Sequence, residues 1–221
     1  MTSGPSVDVV TIADRPAAWA AAGFAVEGDW CPVGAVRLLL EGPGQGRGIV
    51  GWSLRGLETL ELDGLPTVRS EQAPGVGVRH PNGVVSIDHL VAFTPDLDRT
   101  AGALRAAGMD LRRVREQPTP GGAPRQAFFR LGELILEVVQ APEGSRVAAD
   151  RDGPARLWGI SFVVADLDLT AATLGDLIGT PRDAVQPGRR IATLRREAGL
   201  GPAIAFMTPR HATEQGDRRS R

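Results

Sequence analysis

The feature that most restricts how this chain can fold is an internal repeat. Residues 87–108 read IDHLVAFTPDLDRTAGALRAAG and residues 158–179 read WGISFVVADLDLTAATLGDLIG. Aligning Asp96-Leu97-Asp98 with Asp166-Leu167-Asp168 sets the two copies 70 positions apart. Each copy begins as an apolar strand, 90–93 or 160–164, and turns at D-L-D, whose second Asp is expected to accept the free N–H groups of a helix start. A helix follows. Leu97, Ala101, Leu104 and Ala107, or Leu167, Ala171, Leu174 and Leu177, give it one apolar stripe, and Gly108 or Gly179 is placed to close it in the left-handed conformation. Short strand-like segments then alternate with Gly/Pro turns: 111–116, 125–131 and 133–140 in the first copy, 183–186, 190–195 and 203–207 in the second. The unit is β-α-β-β-β, written twice.

A degenerate third copy stands at the N-terminus, with a strand over 7–12, a short helix over 15–22 carrying Pro16 in its first turn, and strands over 24–27, 36–40 and 49–54. The chain therefore divides into an N-terminal module (1–60), a connector (61–85), a central module (86–142), a second connector (143–156), a C-terminal module (157–209) and a tail (210–221) expected to be disordered. The shorter second connector favours the central and C-terminal modules as a pair. The N-terminal module is left to pack outside that pair, to cover its sheet, or to seek a second copy of the chain as a homodimer.

Composition narrows the chemistry. Basic residues (25) and acidic residues (26) balance, all the basic ones are Arg, and there is neither Lys nor Tyr. Schiff-base lysine and phenolic acid mechanisms are excluded, and no bulk charge invites nucleic acid or a membrane surface. The apolar runs are too short to span a bilayer, the N-terminus does not read as a signal peptide, and the lone Cys31 allows no internal disulfide, so a cytoplasmic protein is expected. With no His nearby, Cys31 reads as a small apolar residue and not a nucleophile. The GPGQGRG stretch over 42–48 lacks the G-K-S/T of a phosphate loop and joins two strands.

These residues resemble the vicinal oxygen chelate superfamily, the glyoxalase and bleomycin-resistance proteins. The resemblance is strongest over 86–140, in IDHLVAFTPDLDRTAGALRAAGM and FFRLGELILEVV. It implies an α+β fold in which paired βαβββ modules form curved, open mixed sheets around a cavity. It does not imply one activity, since such folds host lyases, isomerases, dioxygenases, transferases and metal-free binding proteins. In metal-using members the ligands come from the first and last strand of each paired module. Carried over to this sequence, the resemblance gives His89 and Glu137 in the central module, a donor pair suited to Zn, Mn, Ni or Fe. The same alignment gives Gly159 and about Ala205 in the C-terminal module, and Val9 and about Ser53 in the N-terminal one, so half the expected set is absent. Asp88, Gln126 and Glu133 lie in the same module as His89, but strand alternation turns Asp88 to the opposite face. His89 and Glu137 are thus open to three readings: metal ligands, a metal-free acid and base, or a buried structural pair.

Other candidates follow from strand phase. In QPGRR (186–190), Ile191 is expected beneath the helices, which points Arg190 into the cavity as an anion clamp in preference to Arg189. Gln126, Trp158 and Phe129 are candidate substrate contacts, and Trp52 and Phe206 are large side chains with the same choice between cavity wall and core. His80 and His211 are expected in exposed segments. The expected function is that of a glyoxalase-like protein that binds a small organic anion, either as a lyase or isomerase, with or without a divalent metal, or as a metal-free sequestration protein of the bleomycin-resistance type.

Overall fold

The structure, a computed structural model, describes residues 4–119 and 122–210. His211 and most of the tail lie outside the described residues. The fold is α+β with two open, mixed sheets.

The larger sheet is built from the two repeat copies. The central copy supplies β6 (Val84–Thr94), α2 (Leu97–Ala106), β7 (Asp110–Arg115), β8 (Gln126–Leu131) and β9 (Leu134–Gln140). After α3 (Arg146–Ala149), the second copy supplies β10 (Arg156–Val164), α4 (Leu167–Leu174), β11 (Arg182–Asp183), β12 (Arg190–Thr193) and β13 (Ala203–Met207). The strand order is β11-β12-β13-β10-β6-β9-β8-β7, with first and last strands parallel within each copy and β6 antiparallel to β10 between copies. Registers match across the repeat: Val91 pairs with Glu137 as Ser161 pairs with Ala205. Glu137 and Ala205 are therefore equivalent positions.

The helices start at the first Asp of each D-L-D, not the second. Asp96 accepts from Arg99 N at 3.0 Å, and Asp166 from Asp168 N and Leu169 N at 2.9 and 3.0 Å. The second Asp instead binds an arginine at the start of the module's third strand: Asp98 with Arg125 at 2.8 Å, Asp168 with Arg190 at 2.7 Å. Gly108 closes α2 with φ 86°, whereas α4 ends earlier, at Gly175.

The N-terminal segment departs from the expected module. It contains β1 (Ser6–Ile12), α1 (Pro16–Ala21), β2 (Trp30–Val33), β3 (Val36–Leu40), β4 (Ile49–Arg55) and β5 (Thr67–Arg69), in the order β2-β3-β1-β4-β5. Residues 24–27 form no strand, so the β2–β3 hairpin already brings β3 alongside β1. No slot remains there for 49–54, and β4 runs antiparallel on the other edge of β1. Val9 and Ser53 consequently face each other as neighbours across β1 and β4, not as the ends of one module.

One large core joins the two sheets, and a small second cluster of Val91, Ala123 and Val139 with Phe93 lies apart from it. Leu90, Ala92, Phe129, Leu136, Ile160, Phe162 and Phe206 of the large sheet pack with Trp19, Phe24, Leu38 and Trp52 from the N-terminal unit. The N-terminal unit covers the face that also carries α2 and α4. The opposite, concave face of the large sheet stays open. No helix among the described residues is long and apolar enough to cross a membrane.

Candidate functional site

The open face holds a cleft of about 860 Å³, walled by both modules. His89 (β6), Gln126 and Phe128 (β8) and Glu137 (β9) form its central-module side. Arg113 and Arg115 of β7 stand above them, and Arg182, Gln186, Ile191 and Met207 close it from the C-terminal module. Three sequence candidates, His89, Glu137 and Gln126, thus meet at one place.

Glu137 is largely buried. Gln126 Nε2 donates to its Oε1, and His89 Nε2 lies 3.6 Å from Oε2. Burial pushes the Glu137 carboxyl above its ordinary value, and the charge of His89, the Gln126 hydrogen bond and the guanidiniums of Arg113 and Arg115 only partly offset this. The Arg113 guanidinium stacks over the Phe128 ring at 4.8 Å. Among the described residues, Arg113, Arg115 and Arg182 have no carboxylate partner.

Four sequence expectations about the cleft are corrected. Asp88 does share the face of His89. The β6–β10 register runs Ile87 to Phe162 and His89 to Ser161, which makes Asp88 the extra residue of a β-bulge. A bulge cancels the alternation on which the expectation relied, and Asp88 Oδ2 accepts from His89 Nδ1 at 2.8 Å. Phe129 is wholly buried in the core, and its neighbour Phe128 lines the cleft. Trp158, 49% exposed, packs edge-on against Phe93 at 4.9 Å, away from the cleft. The phase of β12 is the reverse of that expected: Ala192 is in the core and Ile191 faces the cleft. Arg190 is therefore held outside by Asp168, while Arg189 is buried and bonds Asp88 Oδ1 from Nη2 at 2.9 Å.

Of the remaining residues, Glu133 is exposed in the β8–β9 turn, and Trp52 and Phe206 are in the core. Cys31 is buried on β2, and desolvation pushes its thiol up to about 12, as suits an inert apolar position. His80 is buried, not exposed. Its Nδ1 accepts from Ala25 N and its Nε2 donates to Pro32 O, each at 3.0 Å.

A resident divalent metal does not fit this donor set. Among the described residues no group of three or more His, Cys, Asp or Glu is disposed to hold an ion. His89 and Glu137 offer two donors, whereas a protein-held catalytic metal usually has three. The equivalent positions Gly159 and Ala205 offer none, and a Cβ at 159 would stand 2.8 Å from Ala203 O. Arg113, Arg115 and Arg182 also make the cleft a poor host for a dication and a good one for an anion.

The strand order and the open cleft are those of two paired βαβββ modules in one open mixed sheet, the glyoxalase-like arrangement that the sequence resemblance implies. Solved structures similar to this chain include methylmalonyl-CoA epimerase from Mycobacterium tuberculosis, at 20% identity over 58% of this chain and 90% of that one, TM-score 0.47. A Streptomyces coelicolor methylmalonyl-CoA epimerase in complex with 2-nitronate-propionyl-CoA is 24% identical over 58% of this chain and 96% of that one, TM-score 0.47. A hypothetical protein from Bacillus halodurans is 17% identical over 60% of this chain and 97% of that one, TM-score 0.46. These are likenesses of fold. No family profile matches the sequence, and no curated protein sequence does.

Proposed function

We propose that this chain binds a small organic anion in the cleft and exchanges a proton with one of its carbon atoms, the step common to isomerases and lyases. The observation that carries the reading is the His89–Glu137 pair in the cleft, 3.6 Å apart, beside three guanidiniums that no carboxylate among the described residues engages. Arg113, Arg115 and Arg182 bind the anionic groups by charge-assisted hydrogen bonds. Glu137, made more basic by burial, accepts a proton from a carbon of the ligand, and the electron pair stays on the ligand as an enolate beside the guanidiniums. His89 Nε2, which faces Oε2, takes that proton from Glu137 and returns it to the ligand at another position or face. Gln126 holds Oε1 and leaves Oε2 for this exchange.

The test is a panel of dicarboxylates and phosphorylated acids, read first by thermal shift and then by NMR for deuterium uptake from D₂O. Binding that disappears in the Arg113→Ala/Arg115→Ala double variant, with deuterium uptake that disappears in Glu137→Gln, is the expected result. Dialysis against a chelator should change neither. A second reading, sequestration without chemistry, is favoured by the absent donors at Gly159 and Ala205. Ligands that bind with the same arginine dependence yet return unlabelled would establish it in place of the first.

A further inference from the structure

We propose that Asp88 and Arg189 form a positioning relay across the two modules that holds His89 with its proton on Nδ1 and its Nε2 turned to Glu137 and the cleft. The β6 bulge brings Asp88 onto the cleft face, where its two oxygens are used separately. Oδ2 accepts from His89 Nδ1 at 2.8 Å, and Oδ1 faces Arg189 Nη2 at 2.9 Å and Arg210 Nε at 3.4 Å. An ionised carboxylate only accepts, so the shared proton belongs to Nδ1 and the other ring nitrogen is the one offered to a ligand.

Arg189 is itself anchored. Its Nε and Nη2 donate to Thr208 O at 2.9 and 2.7 Å, and its side chain is 4% exposed, so the ion pair with Asp88 is shielded from solvent. Its backbone closes the turn that supplies Val185, Gln186 and Pro187 to the cleft wall, through Ala184 N to Arg189 O at 2.9 Å and Arg189 N to Gln186 O at 3.2 Å. One module therefore carries the imidazole and the other sets its orientation.

The repeat shows that this contact is not part of the module's architecture. Arg125–Asp98 recurs as Arg190–Asp168, as an ion pair required by the fold should. Asp88 and Arg189 do not recur: in the paired registers their counterparts are Trp158 and Pro124. The relay stands only on the side of the cleft that keeps His89 and Glu137.

This inference rests on the proton-exchange reading for what Nε2 does, but the orientation of His89 can be measured without a ligand. The experiment is ¹⁵N NMR of the histidine ring nitrogens in the full chain, assigned with His89→Gln. His80 is an internal reference of the opposite kind, because its Nδ1 accepts from Ala25 N. His89 should show a protonated Nδ1 in the wild type and a mixture of tautomers in Asp88→Asn, with Arg189→Lys remaining closer to wild type than Arg189→Gln. If Asp88→Asn does not fold, the wild-type spectrum and the Arg189 pair suffice. With an exchanging ligand in hand, Asp88→Asn should lower the turnover rate by roughly 10²-fold or more while KM changes little. A wild-type His89 whose Nδ1 is unprotonated overturns the relay whatever the protein turns over. A protonated Nδ1 in a protein that labels no ligand keeps the relay and removes the proton-exchange function.

Discussion

Glu137 sets burial against charge. Its carboxyl lies at the back of a half-enclosed cleft, and desolvation raises its affinity for a proton above that of the unfolded chain. A carboxyl with a raised folded-state pKa lowers stability as pH climbs from the unfolded value through the folded one, and the deficit persists above it. Glu137→Gln, which cannot ionise and still offers groups to Gln126, should therefore melt higher than wild type at neutral pH. The difference should shrink toward acid pH in calorimetric scans at a series of pH values, while deuterium uptake into a bound anion is lost. A melting point that falls equally at every pH would mean that residue 137 is only structural. At this scale the sequence exposed His89, Glu137 and Gln126, because residue type and strand position are local properties. It did not expose Asp88, whose direction depends on one bulge formed against β10. Nor did it separate Phe128 from Phe129 or Arg189 from Arg190, where one step of strand phase exchanges core for cleft. Arg190→Ala, which removes only the outer partner of Asp168, should leave anion binding unchanged in the thermal-shift assay.

Among the elements, the repeat units were legible because helix caps, apolar stripes and turns are written in neighbouring residues. The N-terminal sheet was not. Alternation in 49–54 identifies a strand but does not say which edge of β1 it takes, and that was decided by the missing strand over 24–27. The connector was misread for a similar reason. His80 appears in a polar, turn-rich stretch, yet it docks under the N-terminal unit, receiving Ala25 N–H and donating to Pro32 O, with its ring against Phe24 at 5.6 Å. Burial lowers its pKa below 6.5, outweighing the Pro32 hydrogen bond. A histidine kept neutral in the fold contributes stability that is complete above the unfolded value and is lost as pH falls below about 6.5 toward the lowered one. His80→Ala should cost about 1–3 kcal/mol at neutral pH, the penalty of leaving Ala25 N–H and Pro32 O without partners. It should also flatten the decline in stability between pH 7 and 5. Denaturant melts of both proteins at several pH values would decide the point, and parallel wild-type and variant curves would count against the clasp.

For the molecule as a whole, the repeat left open whether the N-terminal module packs outside the pair, covers its sheet or seeks a second copy, and the structure places one large core between the N-terminal unit and the paired modules. The join is aromatic. Phe162 of β10 meets Phe24 at 5.1 Å, Trp19 at 6.3 Å and Phe206 at 6.1 Å, so a residue of the C-terminal copy is packed by the N-terminal unit. A second tie is polar: Asp14 accepts from Gly201 N at 2.9 Å, where a Cβ at Gly201 would lie 2.7 Å from both Asp14 and Gly48. A core shared in this way makes neither sheet stable without the other, and unfolding should be a single cooperative transition. Trp19, Trp30 and Trp52 belong to the N-terminal unit, so tryptophan fluorescence reports chiefly on the small sheet, while far-ultraviolet circular dichroism is weighted to the large one. The two curves should coincide in urea. Phe162→Ala, which removes a fully buried ring from the join, should cost about 3–5 kcal/mol and move both curves by the same amount. If fluorescence shifted while dichroism stayed, the sheets would be independent bodies, and the cleft would owe nothing to the N-terminal unit. Coincident shifts would instead mean that the N-terminal unit supports the cleft from behind, holding in place the face on which His89, Glu137 and their arginines are aligned.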